Sequence, residues 1–177
     1  MLDICCGAFD NKGTNYDEKG LIYKPLVAQT IGQNGFKVTG IDFRENQTRE
    51  KIFYKHLTEI DILKNDWSDK LMTKFDSLIF LRSWDTPEIL FHFQDNFSSL
   101  SLNELSIKIA QSLLPSFIKC LNSESYLITS EIFNYGLCSN ESEVDYLKNK
   151  TLQIFSEFSF KLLNEENGLY FLELISN

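Results

Sequence analysis

Five short strand-like runs, each separated from the next by helical or polar sequence, set the fold class. The plainest is Asp76-Ser-Leu-Ile-Phe-Leu81, whose last four residues are all apolar. Strands covered on both faces read this way, because neither face is open to water. Leu2-Asp-Ile-Cys-Cys6 runs into Gly7, and Lys37-Val-Thr-Gly-Ile-Asp-Phe43 carries Asp42 near its end. A weaker strand spans Lys55-His-Leu-Thr-Glu-Ile-Asp-Ile62 and ends near Asp61, and Tyr126-Leu-Ile-Thr-Ser-Glu-Ile-Phe133 is the fifth. Pro25 suits the first turn of a helix in which Leu26, Val27 and Ile31 recur at helical spacing and Gly35 is the stop. Short helices are expected over 45–53 and 66–74, and Thr86-Pro87-Glu88 is a further helix start. Ser101-Leu-Asn-Glu104 is a capping box that opens a longer helix to about Leu121, and another helix is predicted from Glu141 to Phe155. The chain closes on a hairpin: Phe158–Leu163, a turn at Asn164–Gly168, then Leu169–Ile175. Strand alternating with helix predicts an α/β chain with a mostly parallel sheet, helices on both faces and an antiparallel end.

Length and charge narrow the function classes. A chain of 177 residues is one domain's worth, here taken as 1–177, and at 43% hydrophobic it can build a core without metals or disulfides. No apolar run approaches the ~20 residues of a membrane span, and Asp3 in a neutral opening argues against a signal peptide. A cytoplasmic protein with no membrane partner is expected. The net charge is −8, of which −2 falls on residues 1–88 and −6 on 89–177. No basic stripe appears, so no nucleic-acid partner is expected. Cys5, Cys6, Cys120 and Cys138, with His56 and His92, show no metal-ligand spacing, so free thiols and no metal are expected.

In an open parallel sheet, ligands bind beyond the carboxyl ends of the strands, where strand order reverses. That rule selects Cys6-Gly7-Ala8, Asp42, Asp61, Arg82 to Asp85 and Glu131 to Tyr135. An acid ending a second strand can accept both hydroxyls of a ribose. Asp42 as a helix cap, Asp61 as a solvated strand-end acid and Cys5 and Cys6 as small strand-end filler are the bland alternatives.

Leu2-Asp3-Ile4-Cys5-Cys6-Gly7-Ala8-Phe9 resembles motif I of the class I S-adenosylmethionine-dependent methyltransferases, roughly acid-x-Gly-x-Gly-x-Gly. Val38-Thr-Gly-Ile-Asp42 resembles the second motif, Asp61-Ile62 the third, and Phe75-Asp-Ser-Leu-Ile79 the fourth strand. The ordered series covers nearly the whole chain. It implies a Rossmann-like, doubly wound sheet of seven strands, mostly parallel, whose closing antiparallel strand NAD-binding Rossmann domains lack. It also implies S-adenosylmethionine as cofactor. Cys5, Cys6, Gly7 and Ala8 would meet its methionine part, with Asp3 holding that loop and Gly7 admitting the backbone. Asp42, with Phe43 beside it, would bind the ribose, Asp61 and Ile62 would meet the adenine, and Leu81 and Arg82 would lie near the sulfonium.

The sequence departs from the pattern where Cys5 replaces the first glycine and Phe9 the third. The chain begins two residues before the motif I acid, whereas the family carries an N-terminal helix over the cofactor. The resemblance therefore implies a domain lacking that helix, as a truncated product would. Trp84 and Asp85 stand where the family places acceptor-binding groups, with packing and a helix-start charge as the equal alternative. His92, among Leu90, Phe91 and Phe93, reads as half-buried structure. No catalytic residue is assigned, because a sulfonium is a strong methyl donor and alignment of the acceptor supplies much of the rate. The expected function is methyl transfer to a small-molecule acceptor. The alternative is a degenerate, non-catalytic domain of this kind acting as a binding module. An oxidoreductase would need a Gly-x-Gly-x-x-Gly fingerprint, which is absent. Neither the acceptor nor the oligomeric state is legible.

Overall fold

The computed structural model describes residues 1–5, 25–42, 51–64, 66–81, 84, 100–133 and 138–175. The strands are β1 (Leu2–Ile4), β2 (Thr39–Ile41), β3 (Lys55–Leu57), β4 (Phe75–Phe80), β5 (Leu121–Ser130), β6 (Phe160–Glu166) and β7 (Leu169–Leu174). Among the described residues the α-helices are α1 (Leu26–Gln33), α2 (Leu102–Cys120) and α3 (Glu141–Glu157). The strands form one seven-stranded sheet in the order β3-β2-β1-β4-β5-β7-β6. β1 to β5 pair in parallel, and β7 runs antiparallel between β5 and β6. The order reverses at β1, flanked by β2 and β4, which is where an open sheet of this kind forms a crevice.

Period-two alternation sorts the strand side chains onto two faces. Leu2 and Ile4 of β1, Leu78 and Phe80 of β4 and Leu127 of β5 enter the main core with Leu105, Ile109, Leu113 and Phe117 of α2 and Ile154 and Phe155 of α3. On the other face α1 sets Ala28 over Val38 and Tyr54, with Ile31 and Ile52 packed against them. Asp3, between Leu2 and Ile4, therefore faces α1. The main core is aromatic at its centre. Phe80 meets Trp84 and Phe117 edge-on at ring separations of 4.9 and 5.0 Å, and Trp84 lies 6.4 Å from Phe155.

The end signals of α1 and α2 hold. Ser101 and Glu104 form the capping box at the start of α2, and Asn140 caps α3 by accepting from the Glu143 N–H at 3.0 Å. Gly35 follows α1 at φ 88°, a conformation that disfavours a side chain.

Other boundaries differ from the sequence expectation, each for a local reason. The third strand ends at Leu57 rather than near Asp61. It is an edge strand whose one neighbour, β2, is three residues long, and Glu59 turns the chain at φ 60°. The helix expected over 66–74 is a 3₁₀ turn, Trp67–Lys70, pinned by the burial of Trp67. Of the helix expected over 45–53, residues 51–53 are not helical and the preceding ones lie outside the described residues. β5 starts at Leu121, but three extra residues bulge out before regular pairing begins at Tyr126. Asn122 Nδ2 donates to Asp76 Oδ1 at 2.7 Å across that bulge. The far end stops at Ser130: the Glu131 N–H still donates to the Gly168 carbonyl at 3.2 Å, and then Ile132 and Phe133 turn into the core. The hairpin turn is Asn167-Gly168, both at positive φ (52° and 76°), as a two-residue turn between right-twisted strands requires.

Candidate functional site at the carboxyl edge of the sheet

β1, β2 and β4 end side by side, and among the described residues their ends bring together Cys5, Asp42 and Leu81. Cys5 follows β1 at φ 55°, so the chain turns sharply out of the strand there. Asp42 follows β2 and is 7% exposed, and its N–H donates to the Leu57 carbonyl of β3 at 3.2 Å. Leu81 follows β4. The parallel register sets Asp3 beside Gly40 of β2 and Ile79 of β4. Asp42 lies two residues beyond Gly40 and so continues on Asp3's face.

Asp3 is the unusual group. It is 4% exposed, accepts the backbone N–H of Ala28 in the first turn of α1, and leaves its Oδ2 with no hydrogen-bond partner among the described residues. Burial raises its carboxyl pKa from 3.8 to about 7; the Ala28 N–H opposes that rise and the charge of Asp42 adds to it. Two buried acids on one face of a crevice favour a ligand with positive charge, or a proton on one of them.

Of the remaining candidates, Asp61, Ile62 and Trp84 are described. Asp61 lies at the same edge, beyond β3, half-buried, and its Oδ1 accepts from the Leu63 N–H at 3.0 Å, closing a tight turn. Ile62 is buried in the main core. Cys6, Gly7, Ala8, Phe43 and Arg82 lie outside the described residues, as do Phe9, Asp85, His92, the helix start at Thr86-Pro87 and the loop over 10–22. Trp84 resolves as packing. It is 1% exposed, and its Nε1 donates to Thr129 Oγ1 at 2.9 Å, which in turn donates to the Phe80 carbonyl at 2.9 Å.

Sequence reasoning gave Asp3 only the task of holding a loop. Its electrostatic weight follows from the burial of an acid in a strand whose neighbours are Leu2 and Ile4, and that flanking was the available signal. Glu131 was selected as a strand-end acid, and its Oε2 would lie 2.5 Å from a Cβ placed on Gly168. The hairpin turn therefore sits against the end of β5 at this same edge. A separate cleft of about 300 Å³, lined by Leu152, Phe155, Phe160, Leu162 and Leu172, lies where β6 begins and β7 ends. That is the opposite edge of the sheet from the two acids. No described helix is long and apolar enough to cross a membrane.

No protein-family model matches the chain, and no curated protein matches it. Solved structures do. A protein of Streptococcus thermophilus assigned as a hemolysin aligns over 99% of this chain and 59% of its own, at TM-score 0.58 and 13% identity. The chain thus spans less than two thirds of that protein's length. The antibiotic-resistance methyltransferase Kmr aligns over 99% of this chain and 86% of its own, at TM-score 0.56 and 11% identity. MycE, a methyltransferase of the mycinamycin biosynthetic pathway solved with Mg and S-adenosylhomocysteine, aligns over 98% of this chain and 44% of its own, at TM-score 0.54 and 10% identity. With its order β3-β2-β1-β4-β5-β7-β6 and its reversed β7, the chain has the class I methyltransferase fold.

Proposed function

We propose that the chain binds S-adenosylmethionine at the carboxyl edge of β1, β2 and β4 and transfers its methyl group to a small-molecule acceptor. The observation that carries this reading is the pair of buried acids, Asp3 and Asp42, at the reversal point of a methyltransferase-type sheet. The residues fit such a ligand. A buried carboxylate oxygen without a partner suits an ammonium or sulfonium nearby, and an acid ending β2 suits a pair of ribose hydroxyls. When bound, the cofactor would supply an electrophilic methyl group on a cationic sulfur.

The chain's own work is binding and orientation. Asp42 would accept from the ribose, Asp61 and the backbone around Ile62 would border the adenine, and the turn at Cys5 would admit the methionine end. Leu81, beyond β4, would border the reacting centre, and Glu131 with the Asn167-Gly168 turn would flank the acceptor side. No proton-transfer group is required in that set: holding a nucleophile in line replaces a costly bimolecular encounter.

Isothermal titration with S-adenosylhomocysteine tests the reading. Saturable binding supports it, and a chain that takes up neither S-adenosylhomocysteine nor S-adenosylmethionine at millimolar concentration refutes it. A chain that binds but transfers no methyl group to any amine, hydroxyl or thiol acceptor would be a binding module on the same fold.

A further inference from the structure

The two buried acids carry a consequence for how the ligand enters. Asp3 sits under α1 with its Oδ2 unpartnered among the described residues and Asp42 on the same face. Among the described residues, the other titratable groups on its face are His56 of β3, set beyond Gly40 by the register, and Tyr54, packed against α1's Ala28. The α1 segment Leu26–Gln33 and the β2 segment Thr39–Ile41 contain no ionisable side chain, and β4 presents Ile79 alongside. Asp42 is the charged neighbour. An empty crevice of this build favours a proton on Asp3 over a second buried negative charge. A ligand bringing an ammonium or sulfonium reverses that preference.

We propose that ligand uptake at this edge is proton-linked through Asp3: the empty site holds Asp3 as the neutral acid, and a cationic ligand displaces its proton to the solvent. The inference rests on the S-adenosylmethionine reading of the site. The exchange balances, since the Asp3 O–H bond breaks, the carboxylate remains to face the incoming cation, and the proton passes to the buffer. Binding then draws on the electrostatic attraction only after Asp3 ionises, so affinity follows the ionised fraction of the free protein.

The test is proton counting by isothermal titration of the full chain with S-adenosylhomocysteine, which carries the ammonium, in buffers of different ionisation enthalpy. Nearly one proton should be released per ligand at about pH 6 and almost none at about pH 8.5, with the dissociation constant rising about tenfold on going from pH 8 to 6. Asp3→Asn should bind with no proton release and a flat pH profile. Should that variant not fold, the carboxyl ¹³C shift of Asp3 in the unmodified protein gives the same answer. Its titration midpoint should stand near 7 without ligand and return toward the ordinary carboxylate range with S-adenosylhomocysteine bound. Binding without proton exchange, or release that persists unchanged in Asp3→Asn, overturns the proposal while leaving the cofactor reading intact. Absence of S-adenosylhomocysteine binding at every pH would instead remove the reading beneath it.

Discussion

At the scale of single residues the candidate site rests on two acids, and their environments assign them different tests. Asp42 ends β2 and is nearly buried, so a ribose bound there would be held by hydrogen bonds to a charged acceptor. Each such bond is worth about 1.5–3 kcal/mol. Asp42→Ala should therefore weaken S-adenosylhomocysteine binding at least tenfold by titration calorimetry, and an unchanged affinity in a folded variant would show that a different acid holds the ribose. Asp3 is tested through stability instead. Its folded-state pKa of about 7 lies above the ordinary value of 3.8, so between those values the native chain keeps a proton that the unfolded chain has released. Stabilisation from that proton is complete below the unfolded value and is lost as pH rises through 7. Asp3→Asn cannot ionise, so its stability relative to the unmodified protein should improve as pH rises. Between about pH 5 and 8 the gap should widen by roughly 2–3 kcal/mol, or several degrees in melting temperature. A gap independent of pH would mean that Asp3 titrates normally in the fold.

Elements are placed by ties that the sequence displays unevenly. The end of β4 is held to β5 by Thr129, which accepts from the Trp84 Nε1–H and donates to the Phe80 carbonyl, all three groups buried. Thr129→Val keeps the shape but leaves the indole N–H without its acceptor, at a cost of about 1–3 kcal/mol. Chemical denaturation should show that loss as a lower midpoint with an unchanged slope, and a neutral result would mean that Trp84 finds another acceptor. The same tie explains why Trp84 was ambiguous in sequence. An indole after a strand reads equally as packing or as a ligand platform until the partner 45 positions away is known. The capping box at Ser101 and the stop at Gly35 were legible because a helix end is written in four or five adjacent residues. The limits of β3 and β5 were not, because a strand ends where its neighbour does. The Asn167-Gly168 turn was legible in principle, since that dipeptide is the strongest short hairpin signal, yet an earlier Asn164 broadened the expected loop. For the candidate site, the strand-end rule found Asp42 and Glu131 from position alone, whereas the raised pKa of Asp3 required knowing that α1 lies over it.

At the scale of the whole molecule, the reversal point joins two unequal halves of the sheet. On one side β1, β2 and β3 are three-residue strands under the short helix α1; on the other, β4, β5 and the β6–β7 hairpin are longer and close over the aromatic core with α2 and α3. Among the described residues the α1 face has the smaller core, built from Ala28, Val38 and Tyr54, while Leu2, Ile4 and Ile41 of the short strands pack into the main one; the short side contributes Asp3, Asp42 and Asp61 to the candidate site. A ligand bridging the ends of β1, β2 and β4 would tie the weak half to the strong one. It should therefore protect the region that opens first and also raise global stability. At a hundred times its dissociation constant such a ligand adds about 2.7 kcal/mol, which for a domain of this size moves the melting temperature by several degrees. S-adenosylhomocysteine should produce that shift and NAD should not, because the sheet carries no glycine fingerprint for a pyrophosphate. Hydrogen exchange gives the spatial half of the same prediction: slowed amides should concentrate in β1, β2 and α1, with β6 and β7 little changed. Protection confined to the β6–β7 hairpin would place the ligand in the cleft at the opposite edge and detach the two acids from its binding.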